Sequence, residues 1–161
     1  MARITVEDLK ARKVAKGATP IVSLTAYTQP MAKFLDPHCD FLLVGDSLAM
    51  VIYGLETTRG VTIEIMCAHG RAVTRGAKQS LVVVDLPQGT YEDSTKQAVA
   101  SAQRVIEETE AQAVKLEGGV EMADTVAAIV ASGVPVLGHI GLLPQKAEHR
   151  GAFKIQGRGD D

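Results

Sequence analysis

Short apolar runs alternate along this chain with longer stretches whose apolar positions recur every three or four residues. The runs fall at 21–25, 41–44, 81–84, 113–116 and 134–137. The third, Leu81-Val82-Val83-Val84, has no polar break, the mark of a strand covered on both faces. Between the runs the period becomes helical. Ala98, Val99, Ala102, Val105, Ile106 and Thr109 form one stripe, and Met122, Val126, Ile129 and Val130 another. Thr5 reads as the cap of a polar first helix with Glu7 and Asp8 in its first turn, and residues 29–35 as a short second helix. Thr62 caps a helix running through Arg75 that Gly76 closes, and Gly133 stops the helix before the fifth run.

Strands alternating with helices predict a parallel sheet with right-handed crossovers, an α/β protein. Two architectures share this pattern. Five strands in 161 residues suit a flavodoxin-like doubly wound sheet. They equally suit the first five units of a (β/α)8 TIM barrel, whose full form takes about 250 residues. Length favours the first, and the polar residues at the strand ends favour the second. No repeat, low-complexity stretch or linker divides the chain, so residues 1–161 are expected to form a single domain.

Composition excludes several function classes. With 46% hydrophobic and 22% charged residues the chain is ordinary globular material. Seventeen basic against nineteen acidic residues give a net charge of −2, which offers no field for nucleic acid or anionic lipid. No apolar run approaches the ~18 residues of a membrane span. The first residues alternate charges where an export signal carries an apolar core, so a cytoplasmic protein is expected. Cys39 and Cys67 lie far apart in no ligand-like spacing and read as small reduced hydrophobes in preference to a disulfide or metal pair.

The candidate chemistry sits where the strands end. The second ends at Asp46-Ser47, the third at Asp85, the fourth at Lys115 and Glu117, and the fifth at His139. Parallel strands in α/β folds bring their carboxyl ends to one rim, where sites form. Any one of these carboxylates would pass as a helix cap, but four consecutive strand ends are harder to explain so. Period two puts Ala113, Lys115 and Glu117 on one face of their strand. A buried Lys115 needs an anionic partner, which Glu117 or an acidic substrate would supply; the alternative is a structural ion pair at an exposed edge strand. Three carboxylates suit a hard cation such as Mg²⁺ better than zinc, since His139 is the one nitrogen ligand at these ends. His139 equally reads as a packed histidine with a bonded ring. His38, His69 and His149 read as surface or satisfied histidines. Residues 47–60 form a long connection carrying Leu48, Met50, Val51, Ile52, Tyr53 and Leu55, either a lid or subunit contact or a short packed hairpin. Gly118-Gly119 is a weak anion-cradle signal, and Arg158-Gly159-Asp160 a coincidental tripeptide.

The same residues carry a resemblance. Leu43-Val44-Gly45-Asp46-Ser47-Leu48, Val84-Asp85-Leu86-Pro87, Val114-Lys115-Leu116-Glu117-Gly118-Gly119, Val136-Leu137-Gly138-His139-Ile140-Gly141-Leu142 and Gln156-Gly157-Arg158-Gly159-Asp160 resemble, in order and spacing, the ketopantoate hydroxymethyltransferase family. Thr25-Ala26-Tyr27 fits as well. Thr28 stands where the family usually has Asp, and Leu143 where it usually has Thr. The resemblance implies a (β/α)8 barrel of the phosphoenolpyruvate/pyruvate superfamily, Mg²⁺ dependence and a ring-like homo-oligomer, typically a decamer. It implies transfer of a hydroxymethyl group from 5,10-methylenetetrahydrofolate, a co-substrate, to 3-methyl-2-oxobutanoate, giving 2-dehydropantoate in pantothenate and coenzyme A biosynthesis. Asp46, Asp85 and Glu117 would belong to the metal site, and Asp46, Ser47, Asp85 and Lys115 would contact the oxo acid. The family's proton-abstracting glutamate would lie on a strand beyond Asp161, so that the chain resembles about the first three-fifths of the enzyme.

Two other readings stand beside it. A phospho-receiver domain has this size and a parallel sheet, with Asp85 as acceptor, but it needs an acidic pair after the first strand, where Leu24-Thr25-Ala26-Tyr27 offers none. A non-catalytic remnant would bind metal or a partner and turn nothing over.

Overall fold

The computed structural model describes residues 2–147 with His149, Gly151, Phe153 and Gln156, apart from the side chains of Lys13 and Val14. The motif residues Gly157 to Asp160 lie outside the described residues. In chain order the elements are α1 (Val6–Val14), β1 (Ser23–Thr25), α2 (Gln29–Leu35), β2 (Phe41–Val44), α3 (Leu48–Val51), α4 (Ile63–Gly76), β3 (Leu81–Asp85), α5 (Thr95–Thr109), β4 (Ala113–Glu117), α6 (Ala123–Ala131) and β5 (Val136–His139).

All strand pairs are parallel, and the sheet order is β1-β2-β3-β4-β5. A doubly wound sheet reverses direction from its first strand, so this sequential order excludes the flavodoxin-like arrangement and, with it, the phospho-receiver reading. It is the progression of a TIM barrel, of which the described residues supply four βα units and a fifth strand. Leu42, Val44, Val82, Val84, Val114 and Leu116 face outward into the main core under the helices. Leu81, Val83 and Ala113 face inward, where Phe41 and Leu43 join them. There α1 lays Val6 and Leu9 over them, so β3 is covered on both faces. Thr5 closes a capping box with Asp8, which fixes the start of that helix.

Three local expectations are corrected. The first strand is Ser23–Thr25, shorter than 21–25: the Asp40 carboxylate takes the Val22 N–H at 2.7 Å, removing it from the ladder. The fifth strand begins and ends two residues later than 134–137. Pro135 lacks an N–H, while its carbonyl accepts from Val114 N–H at 3.0 Å, and pairing then runs on to His139. Gly76 does not close α4 by a left-handed turn. It lies in the helix, and a Cβ there would sit 2.5 Å from the Gln29 carbonyl oxygen and 2.8 Å from Ala32 Cβ, so its role is the close approach of α2. Gly133 does stop α6, at φ +93. Thr28, where the family usually has Asp, caps α2 by accepting from Met31 N–H; either residue does this work.

Candidate active site

The carboxyl ends of β2 to β5 form one rim, and interstrand register decides which side chains meet there. Asp85 is the ladder partner of Lys115, and Glu117 that of His139. Neighbouring parallel strands lie ~4.8 Å apart, whereas Lys115 and Glu117 on one strand are separated by ~6.6 Å. Lys115 therefore pairs with Asp85, Nζ to Oδ1 at 2.8 Å, and not with Glu117 as the sequence suggested. Nor is this an edge-strand pair, because β4 lies between β3 and β5.

Each predicted residue is on the rim. Asp46 and Asp85 are buried, and the Asp46 backbone N–H donates to Asp85 Oδ2 at 3.0 Å. Glu117, also buried, has Oε1 3.2 Å from His139 Nδ1. Ser47 begins α3, its Oγ 2.8 Å from the Tyr27 hydroxyl, instead of joining the carboxylates. Burial raises the pKa of Asp46, Asp85 and Glu117 above the ordinary carboxylate range, against the pull of Lys115. Burial, reinforced by Lys115, lowers that of His139, which favours the neutral ring. A cleft of about 360 Å³ on the inner face reaches Lys115 and His139, with Ser23, Leu43 and Gly138 among its other walls. Its lining does not include the three carboxylates. Among the described residues no group of three histidine, cysteine or acidic side chains is arranged to hold a metal ion.

Two residues with no distinguishing sign in the sequence organise the rim. Gln145, in the 3-10 turn Pro144–Lys146, is buried; its amide nitrogen donates to Asp46 Oδ2 at 2.8 Å and to the Leu86 carbonyl at 3.0 Å. Its backbone N–H donates to Glu117 Oε2 at 3.0 Å. Tyr91, after β3, donates its hydroxyl to Gln145 Oε1, and burial raises its pKa so that the proton stays. Residues 47–60 contain the helix α3, not a hairpin. Leu48 and Ala49 are buried, while Val51, Ile52, Tyr53 and Leu55 stay exposed. Tyr53 and His69 are bonded at 2.9 Å, and His69 Nδ1 lies 2.6 Å from the Tyr27 carbonyl, so His69 is a satisfied histidine.

The family model for ketopantoate hydroxymethyltransferase matches residues 3–161. A 3-methyl-2-oxobutanoate hydroxymethyltransferase of Rhodospirillum rubrum is 60% identical over 98% of this chain and 56% of its own length. One of Mesorhizobium japonicum is 58% identical over 99% of the chain and 54% of its own. The chain thus spans about half the length of the curated relatives it matches. Among solved structures, 2,3-dimethylmalate lyase, a PEP mutase/isocitrate lyase superfamily member, superposes with a TM-score of 0.57 at 16% identity, covering 86% of this chain and 51% of that one. Oxaloacetate acetylhydrolase superposes at 0.59 and 11% identity, covering 81% and 51%. At these identities the likeness is one of fold, and it agrees with five consecutive strands of a barrel.

Proposed function

Since the chain belongs to the ketopantoate hydroxymethyltransferase family, we propose that its strand-end rim holds a divalent cation and a 2-oxo acid for hydroxymethyl transfer. The relatives' names give the acceptor as 3-methyl-2-oxobutanoate, and the family resemblance gives the donor as 5,10-methylenetetrahydrofolate. The observation that carries the reading is the register pair of Asp85 and Lys115, with Asp46 following the neighbouring β2 and Glu117 two residues beyond Lys115 on β4.

The donor set fits Mg²⁺. All three side chains offer oxygen, all are buried, and one ammonium stands against them. Mg²⁺ binds through one or two carboxylates and fills its other positions with water and substrate oxygens. Asp46 and Asp85, from adjacent strand ends, would hold it, with Glu117 beside them. Bound there, the ion would supply Lewis-acid stabilisation of negative charge on the keto oxygen of the 2-oxo acid.

The chain's own residues do the rest. Lys115, held by Asp85, presents its ammonium to the inner cleft, where it orients the substrate carboxylate. His139 lines the same cleft and, as a neutral ring against Glu117, supplies a polar wall without adding charge. Ser47, fixed by Tyr27, borders the site through its hydroxyl. The exposed Val51, Ile52, Tyr53 and Leu55 offer apolar surface for the contacts of a homo-oligomer.

Calorimetry tests the reading. The chain is expected to bind 3-methyl-2-oxobutanoate in Mg²⁺ and to lose that binding in chelator. Undiminished binding after Asp85→Ala would remove the carboxylates from the site.

A further inference from the structure

Gln145 is an unusual residue to find at the bottom of an acidic rim. It is 2% exposed and lies 99 residues from Asp46 in the chain, yet every polar group it carries is matched. The two amide N–H groups go to Asp46 Oδ2 and the Leu86 carbonyl, and Oε1 accepts from Tyr91. Its backbone N–H goes to Glu117 Oε2, and its carbonyl accepts from Arg59 Nε at 3.1 Å. The Arg59 guanidinium also donates to the Lys146 carbonyl, at 3.1 Å, so the turn is pinned from outside.

This pattern fixes the amide's orientation. A flipped Gln145 would aim its oxygen at two acceptors, a carboxylate and a carbonyl, so the nitrogen faces them. Tyr91 favours the same choice from the other side. Its hydroxyl proton has two acceptors in reach, Gln145 Oε1 and the Glu117 carbonyl at 3.3 Å, of which Gln145 is the closer, while its oxygen lies 3.3 Å from the Glu117 N–H and accepts from it. A chain of hydrogen bonds therefore runs from β4 through Tyr91 and Gln145 to Asp46 at the end of β2. Asp46 and Glu117, whose strands are separated by β3, are joined by a single residue.

We propose that the Gln145 side chain, oriented by Tyr91, is a positioning group that sets the Asp46 carboxylate as an oxygen donor for a divalent cation, while the Gln145 backbone holds Glu117 beside it. The inference rests on the cation reading above and deepens it. Partners that orient metal ligands in this way typically change affinity by about 10–100-fold when removed. A Gln that only filled space would be replaceable by an apolar side chain of like shape with no change in cation affinity.

The test uses Mn²⁺ as probe, its dissociation constant read by paramagnetic resonance, alongside the urea midpoint of each variant. Gln145→Met keeps the length of the side chain and removes its hydrogen bonds to Asp46, the Leu86 carbonyl and Tyr91, leaving the backbone bond to Glu117 in place; it is expected to weaken Mn²⁺ about tenfold or more. Tyr91→Phe leaves the amide in place without its orienting donor and is expected to weaken Mn²⁺ by a smaller factor. Because Tyr91 acts through Gln145, the double variant should bind within about twofold of Gln145→Met alone. Effects that multiply instead would overturn the chain of action, and single variants with unchanged affinity would overturn the proposal while leaving the cation reading intact. Failure of the parent chain to bind Mn²⁺ at millimolar concentration would overturn that reading and this inference together. If Gln145→Met does not fold, Tyr91→Phe decides alone, and unchanged affinity there overturns the proposal.

Discussion

The turn that feeds β3 hangs on one carboxylate. Asp36, 5% exposed, accepts the backbone N–H groups of Lys78 at 2.9 Å, Gln79 at 3.1 Å and Ser80 at 2.8 Å, and the Ser80 hydroxyl returns a bond to the Asp36 carbonyl at 3.0 Å. Hydrogen bonds to a charged group are worth about 1.5–3 kcal/mol each. The Ser80 donor is buried, whereas water can replace part of the loss at Lys78 and Gln79, so Asp36→Ala should cost roughly 3–5 kcal/mol in total. Burial alone would raise the Asp36 pKa, but the three N–H groups outweigh it and hold the carboxyl below its ordinary 3.8. A depressed native pKa makes this stabilisation complete above the unfolded value and lost as pH falls through the folded one. Urea titrations of both proteins should therefore differ by a constant amount from pH 7 to 5, and the difference should shrink below pH 4. A loss under ~1 kcal/mol at pH 7, or one that persists undiminished in acid, would refute the assignment of this turn's stability to Asp36.

Three further outcomes follow from the same structure. Lys115→Met leaves Asp85 buried without its counter-charge, which should lower stability by about 3–5 kcal/mol in urea; calorimetry should show binding of 3-methyl-2-oxobutanoate lost. Gly76→Ala drives a methyl into the Gln29 carbonyl and Ala32 and should cost about 1–3 kcal/mol in a urea titration, with cation affinity unchanged in the folded protein. Asp46→Asn keeps an oxygen for Gln145 and removes a buried charge, so it should leave the urea midpoint equal or higher while abolishing Mn²⁺ binding.

What was legible in the sequence follows from the range of each signal. The five runs and the helical stripes are local patterns, so the strands, the helices and the polar rim could be read directly. Register is not local. Nothing in Ala113-Val114-Lys115-Leu116-Glu117 says which residue of β3 lies beside Lys115, and the nearer acid in sequence proved the wrong partner. The two-residue displacement of β5 had a signal in Pro135, whose missing N–H delays the ladder. Gln145 had none: a glutamine after a proline in a short turn looks like surface, and its burial arises when the ends of β2 and β4 close on it. Asp36 was hidden in the same way, since Asp before Pro is ordinary turn chemistry.

The rim is a place where the fold accepts a cost. Three buried carboxylates face one ammonium, and register gives the charged partner to Asp85 and an imidazole to Glu117. Asp46 is left with neutral donors, the Gln145 amide among them, and its pKa is raised by burial. Packing would be better served by an apolar or amide residue there, because replacing buried charge is often neutral or stabilising. The uncompensated carboxylate has a physical rationale if a cation completes the set, and Gln145 then keeps Asp46 and Glu117 apart and oriented until it does. Stability surrendered at Asp46 and order supplied by Gln145 are thus two sides of one arrangement, which is why Asp46→Asn and Gln145→Met should part ways: both should weaken the cation, but only the first should leave the fold as stable as before.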